Sequence, residues 1–416
     1  MSSLLNEWLF LGLVSFGGAG AHLGLFEENF VGRMSSRKFS EFLAMCSTLP
    51  GATSSQLATC IGVWSNGVRG GLTAFLGFAF PGFVLMTIIG LLTLNGTYYE
   101  DLFSVNDTNI VRRWIDCASL SIVSVAAVAL TKKTCKSELS WYFLAFLAAA
   151  VSSMQLRSYV YPLICVGCGL LAELFGRCNL VRHRSHLLAP LLSPIATLTE
   201  SSGHVSKTGS LLSLIAIIAI GVLASISSAL LVDMFSAGMF VFGGGPVAIP
   251  YLHSAMVGSG LVASQDFLTS LALMYIAPGP MFNVSMFLGI VASGNLPGGL
   301  ACWVCMMVPG VLLVFAVWPW WKQVRGFLDS RMPSFLDGLN AGACGLLIGA
   351  GLQMWTTAEL SLMGVLVVCA GVIVEIAGRV PPYIILLGAI VLGVADLALF
   401  KLAGADVLAQ RDNINI

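Results

Sequence analysis

The residues that could do chemistry in this chain are small, polar and clustered. Phe16-Gly17-Gly18 is followed four residues later by His22, and Pro50-Gly51 leads into Thr53, Ser54, Ser55 and Gln56. Further on, Phe242-Gly243-Gly244 runs into Pro246, and Pro278-Gly279-Pro280 runs into Asn283 and Ser285. Glycine accepts backbone angles that other residues avoid, and proline has no N–H to give a helix, so each cluster should break the helix that contains it. A helix restarting at such a break points backbone N–H groups and the positive end of its dipole into the gap, while hydroxyls and amides add directional donors. That combination suits a tetrahedral oxyanion and needs few formal charges. The plainer alternative is that small and polar residues are packing material between membrane helices. Enzyme chemistry has no foothold: the sequence holds no HExxH, Walker A or GxSxG motif, and no carboxylate pair beside a nucleophile.

The elements that must position these clusters are membrane helices. Of 416 residues only 20 are Lys or Arg and 20 Asp or Glu, a tenth of the chain where a soluble domain carries about a quarter. Hydrophobic residues make up 57% and mean hydropathy is +0.91, so the chain reads as one all-α polytopic membrane domain. Its formal net charge of zero removes the case for nucleic acid binding. The eleven cysteines are scattered through apolar runs; Cys165/Cys168 and Cys302/Cys305 have CxxC spacing but no His or acid nearby, so neither a disulfide framework, a metal site nor a cofactor is expected. His183-x-x-His186 reads as part of a solvated basic loop, and the N-terminus lacks the basic start and cleavage site of a signal peptide.

Hydropathy windows place segments at 4–26, 39–63, 70–95, 113–131, 139–156 and 158–175, then, after a polar stretch, at 210–231, 233–256, 266–292, 297–321, 335–355, 361–377 and 383–400. The layout is a first repeat (1–175), a polar linker (176–209), a linker helix (210–232), a second repeat (233–400) and a tail (401–416). The repeats share motifs: Phe16-Gly17-Gly18 matches Phe242-Gly243-Gly244, Pro50-Gly51 matches Pro278-Gly279, Gly70-Gly71 matches Gly298-Gly299, and Pro81-Gly82 matches Pro309-Gly310, all at an offset of 226 to 228. Six crossings and one linker crossing set the second repeat upside down, which predicts two inverted-topology repeats with broken helices meeting near the midplane, the construction of secondary transporters. If every segment crosses, the N-terminal side holds 12 of the 20 Lys and Arg and is cytoplasmic; a re-entrant first segment in each half evens the split. Asn95 and Asn106 begin glycosylation sequons that this count places outside.

Candidate substrate-binding residues are therefore Phe16, Gly17, Gly18, His22, Pro50, Gly51, Ser54 and Gln56, with Phe242, Gly243, Gly244, Pro246, Pro278, Gly279, Pro280 and Asn283 in the second half. His22 has Ala248 as its repeat counterpart and reads either as a packing histidine or as a substrate or proton contact. Glu41 and Asp116 are candidates for ion coupling; both lie toward segment ends, where the interface is the alternative.

On these motifs the sequence resembles the chromate ion transporter family in its long, two-repeat form. That family's pattern is Phe-Gly-Gly-Pro with a nearby His, then Pro-Gly-Pro followed by Gln and Gly, then a Gly-rich turn and a helix ending in Phe-x-x-Pro. Phe16–His22, Pro50–Gly62, Gly70-Gly71 and Phe78–Pro81 follow it in the first half, and Phe242–Pro246, Pro278–Gly289, Gly298-Gly299 and Pro309 in the second. The first half departs at Ala19 and Ala52, where the family has proline. The resemblance implies movement of chromate and makes sulfate, of the same charge and shape, a second candidate. Export by a plasma-membrane carrier is the leading expectation, with an anion channel as the alternative and an embedded enzyme or receptor behind both. The partners expected are the oxyanion and the lipid bilayer, with a homodimer as a candidate assembly.

Overall fold

A chain this apolar has to satisfy its backbone within its own helices, and the computed structural model is helical throughout, with no β-strand among the described residues. It describes residues 2–94, 105–135, 139–152, 154, 160–177, 205–242, 245–357, 362–378, 380, 384–396 and 398. Gly243, Gly244, Asn95, the linker histidines and the tail after 398 lie outside them.

The first two apolar segments turn back rather than cross. Helices α1 (Ser2–Val14) and α2 (Ala19–Phe30) have 13 and 12 residues, each too short for a hydrocarbon core of about 30 Å. Trp8 on α1 packs against Phe26 and Phe30 on α2 with ring centroids 5.4 and 5.2 Å apart, and Arg33 pairs with Glu7 at 2.5 Å. In a straight span Trp8 and Phe30 would lie about 33 Å apart. The pair is a hairpin with both ends on one side of the membrane.

A second hairpin follows. Thr53–Leu94 is continuous, but Asn66 (φ −143°, ψ 29°) and Gly67 (φ 63°, ψ −154°) leave helical geometry. A Cβ on Gly62 would strike the Gly70 carbonyl, and one on Gly70 the Gly62 carbonyl, so the chain reverses here into α4 (53–65) and α5 (68–94). Helix α3 (Ser36–Thr48), capped by the Ser35 hydroxyl at the Lys38 N–H (3.3 Å), runs back to back with α4: Cys46 and Cys60 Sγ are 3.6 Å apart, and Lys38 Nζ lies 5.6 Å from the Trp64 ring centre.

The rest of the first half is α6 (Val105–Thr134), α7 (Leu139–Ser152) and α8 (Val160–Arg177). Helix α9 (Lys207–Ser227) links the halves; Leu212, Ile218 and Ile226 are 65%, 65% and 75% exposed, so α9 stands at the lipid-facing edge. The second half repeats the plan. Helices α10 (Ala229–Phe240) and α11 (Ala248–Met256) form a hairpin joined by a Tyr251 hydroxyl to Asp233 bond of 3.4 Å, and α12 (Ser264–Ile276) pairs with α13 (Val284–Ser293). Gly294 (φ 72°) ends α13 and the Asn295 side chain caps α14 (Leu296–Val317) at the Gly298 N–H, 2.8 Å. Then come α15 (Trp321–Arg331), α16 (Phe335–Thr357), α17 (Leu362–Gly378) and α18 (Ile384–Asp396). Five described stretches are long and apolar enough to cross a membrane, and they contain α5, α6, α9, α14 and α16.

Helices α5 and α14 show that the halves are inverted. Near its start α5 packs on the outer end of α4 (Gly70 on Gly62), at its middle on the second-half break (Gly82 on Pro278), and near its end on the outer part of α13 (Gly90 on Ile290). Helix α14 does the converse, from Gly299 on Ile290, through Gly310 on Pro50 and Gly51, to Trp318 at its end, whose ring lies 5.5 Å from Phe42 of α3. The hairpins of the two halves thus enter from opposite sides. The exchange extends outward: α7 of the first half packs on α16 of the second, and α17 on α6.

The hairpins choose between the two layouts the sequence left open, and they extend the turning back to the second segment of each half. A hydropathy window sums apolar residues and does not see a reversal, so two helices of 13 residues read like one span. The hairpin layout moves Arg33, Arg37 and Lys38 to the N-terminal side. Among the described residues that side then carries Arg33, Arg37, Lys38, Arg69, Lys132, Lys133, Arg177, Lys207, Lys322, Arg325 and Arg331, against Arg112 and Arg113 on the other. By the positive-inside rule it is the cytoplasmic side.

A cysteine at Ser36 tests this topology, because Cys369 is the one exposed cysteine among those described. Ser36→Cys should react with an impermeant thiol reagent from the cytoplasmic face and be silent from outside. Labelling from outside would restore a crossing first segment.

Candidate functional site

Four helix breaks meet at the centre of the molecule, two from each half. They are residues 15–18 between α1 and α2, 49–52 between α3 and α4, the connection between α10 and α11, of which 241, 242 and 245–247 are described, and 277–283 between α12 and α13. Two backbone hydrogen bonds lace them across the halves: the Gly279 N–H donates to the Ser15 carbonyl (2.9 Å), and the Gly51 N–H donates to the Val241 carbonyl (2.8 Å). The bonds are counterparts, since Ser15 matches Val241 and Gly51 matches Gly279 in the repeat.

The glycines are required by geometry at two of these points. Gly51 (φ 117°) and Gly279 (φ 79°) adopt angles that L side chains avoid, and an added Cβ would sit 3.0 Å from the Gly310 Cα in the first case and 2.8 Å from the Phe78 carbonyl oxygen in the second. Gly17 and Gly18 also have positive φ, 88° and 85°.

Two amide side chains staple each break to the opposite half. Gln56 Nε2 donates to the Pro50 carbonyl (2.7 Å) and to the Gly310 carbonyl of α14 (3.1 Å). Asn283 Nδ2 donates to the Ala79 carbonyl of α5 (2.9 Å), and its Oδ1 accepts from Trp303 Nε1 (2.8 Å). Both amides act beside a helix proline, Pro309 and Pro81. Asn283 is held by protein through one Nδ2 proton and its Oδ1, which positions the break.

The polarity of the centre follows from this lacing. Four helices end there, and the Ser15, Pro50 and Val241 carbonyls are taken by Gly279, Gln56 and Gly51. Helices α2, α4, α11 and α13 begin there. Gly18, the N-cap of α2, makes no side-chain capping bond; α11 and α13 continue from the 3-10 turns Gly245–Val247 and Met281–Asn283, and Pro280, which starts the latter, makes none either, so the positive dipole ends at Gly18 and Pro280 carry no side-chain cap. His22 lies in the first turn of α2, buried, edge-on to Phe78 (5.5 Å) and facing the Ser15 backbone without completing a well-formed hydrogen bond.

Of the other expected residues, Pro50, Ser54, Pro278 and Pro280 belong to this centre or the first turn after it, and Pro246 sits in the middle of the short 3-10 turn Gly245–Val247 that leads into α11. Phe16 is 41% exposed and Phe242 half-buried. Glu41 and Asp116 stand apart. Glu41 is buried two turns before the second break, toward the cytoplasmic side and in the field of Arg325, while Asp116 lies on α6 toward the opposite side, near Ser119, whose hydroxyl bonds the Leu268 carbonyl (3.2 Å). Two residues escape the sequence reading: Trp303, the partner of Asn283, and Met281, whose sulfur lies against Gly18 and Gly245. Neither has a repeat match or a motif to flag it.

The chromate transporter family model matches residues 2–173 and 228–394, two regions that coincide with the two halves. The chain belongs to the chromate transporter family. Chromate transport across a membrane is the function that this family carries, and it is one of transporters rather than enzymes. Among its similar proteins, a chromate transport protein of Pseudomonas aeruginosa is 26% identical over 353 residues, covering 83% of this chain and 79% of that protein. A probable chromate transport protein of Synechococcus elongatus is 27% identical over 361 residues (84% and 83%), and an uncharacterized transporter of Methanocaldococcus jannaschii 20% identical over 378 residues (88% and 87%). No solved structure matches.

Gly279→Ala in this transporter should lower thermal stability in detergent and abolish transport, because it strains φ and drives a methyl toward the Phe78 carbonyl. Gly20→Ala, where an added Cβ meets nothing within 4 Å, should leave folding unchanged. Asn283→Ala leaves the buried Trp303 N–H without its partner, at a cost of about 1–3 kcal/mol. A wild-type melting temperature in either Gly279→Ala or Asn283→Ala would show that the lacing contributes nothing.

Proposed function

We propose that this protein is a secondary carrier that exports chromate, or a closely similar tetrahedral dianion such as sulfate, by alternating access, with the anion held among the N-termini of α2, α4, α11 and α13. The observation that carries the proposal is the imbalance at the centre: the Ser15 and Val241 carbonyls are consumed by cross-half bonds and the Pro50 carbonyl by Gln56, while the helix starts at Gly18 and Pro280 have no side-chain cap. A helix N-terminus is worth roughly 0.3–1 kcal/mol to an anion when exposed and up to about 2 when partly buried, so several acting together compete with the hydration of a dianion without a bound cation. His22, in the first turn of α2, adds a ring nitrogen beside the oxyanion.

Inverted halves with their breaks at the midplane support alternation, since a site on the pseudo-two-fold axis can be opened to either side by equivalent movements. Export needs no coupled ion. At about 100 mV, negative inside, a dianion leaving the cell gains roughly 4.6 kcal/mol, twice the value for a unit charge.

Counterflow in proteoliposomes tests the reading. Labelled chromate uptake should saturate and be accelerated by unlabelled chromate on the opposite side, and sulfate should compete while phosphate, larger in its protonation load at neutral pH, competes less. His22→Ala should raise the half-saturating chromate concentration with little effect on stability. Uptake that rises linearly with concentration and ignores the opposite side would identify an anion channel instead.

A further inference from the structure

One side chain lies between the first break of each half. Met281 is the first residue after the Pro278-Gly279-Pro280 break and opens the short turn Met281–Asn283. Its side chain is buried, and its sulfur is the nearest neighbour of two glycines from different halves. A Cβ on Gly18 would lie 3.1 Å from the Met281 sulfur and 3.6 Å from its terminal methyl. A Cβ on Gly245 would overlap the same sulfur and lie 3.3 Å from the same methyl. Gly18 belongs to the first break of the first half and Gly245 to the corresponding break of the second. The thioether therefore bridges the two first breaks, with the ring edge of Tyr275 beside it, 3.7 Å from the Gly18 Cβ position.

We propose that Met281 is the plug of the oxyanion path and the residue that sets which anions pass. A thioether has no proton to donate, so the space it fills between N–H-bearing helix ends is denied to an anion while it stays there. The side chain is unbranched with three rotatable bonds, which lets it withdraw by rotamer change while the laced backbone around it stays in place. The repeat counterpart of Met281 is Thr53, a shorter hydroxyl residue, so the plug is single and does not obey the two-fold symmetry. The absence of a Cβ at Gly18 and Gly245 thereby gains a second role: it makes the slot that the methionine occupies. The inference rests on the reading that the converging N-termini are the anion site.

Met281→Ala, Met281→Leu and Met281→Phe in proteoliposomes test it, with chloride leak and chromate flux read separately. Met281→Ala should leak chloride at least about tenfold faster than wild type, the change that about 1.4 kcal/mol off a barrier produces, and should discriminate less between chromate and chloride. Met281→Leu, of similar volume but branched, should keep the wild-type chloride leak and slow chromate flux. Met281→Phe should cut chromate flux by about tenfold while remaining monodisperse, which keeps the test informative if the alanine variant folds poorly. Wild-type leak and flux in both Met281→Ala and Met281→Phe would overturn the plug and leave the carrier reading standing. A leaking Met281→Ala variant of a wild-type protein that moves no chromate would keep the plug and sink the choice of substrate.

Discussion

Backbone groups inside a membrane must be hydrogen-bonded within protein, and a chain that breaks four helices at mid-depth has to find partners for what it frees. Here each half finds them in the other. The Gly279 N–H to Ser15 bond and the Gly51 N–H to Val241 bond tie a second break of one half to the first break of its counterpart. The close approach needs glycine at 51 and 279, and again at 82 and 310, where α5 and α14 press against Pro278 and Pro50. Gln56 and Asn283 complete the lacing from positions that are not quite equivalent, six residues after Pro50 and five after Pro278. Neither half can satisfy its own hairpins, so the two are one cooperative unit although each has its own set of helices.

The same bonds give the centre its sign. Every hairpin brings one carbonyl end and one N–H end to the midplane, and left alone these would cancel. Lacing uses carbonyls at the first, second and third breaks and spends no first-turn N–H of α2 or α11 in doing so. A chain with no net charge can in this way present an electropositive locus, which explains why the centre contains a histidine but no lysine or arginine. Glu41 and Asp116, the carboxylates nearest by sequence reasoning, are displaced toward opposite faces of the membrane and do not oppose it.

Much of this was legible in the sequence because duplication doubles a weak signal. A lone Gly-Gly pair says little, whereas Gly17-Gly18 and Pro50-Gly51 recurring at offsets of 226 and 228 located the breaks and the inversion. A re-entrant first segment was one of two layouts left open by the sequence, because folding back at Gly17-Gly18 or Gly51 changes the direction of the chain and leaves its hydropathy untouched. The inversion holds in the hairpin layout because two crossings fewer in each half preserve the parity. The use of Asn283 was hidden for another reason: its partners Ala79 and Trp303 are chosen by tertiary contact, 204 and 20 residues away. Met281 breaks the repeat pattern, so an argument from symmetry passes over it.

The loops between hairpins differ where the hairpins agree. In the first half the connection is bracketed by Arg33, Arg37 and Lys38; in the second, residues 257–263 contain neither lysine nor arginine. Two copies of one backbone thus carry different address labels, and the labels match the opposite orientations in which the copies are threaded into the bilayer during synthesis. Orientation is written in a handful of loop side chains, while the breaks and their glycines are indifferent to which way up they stand.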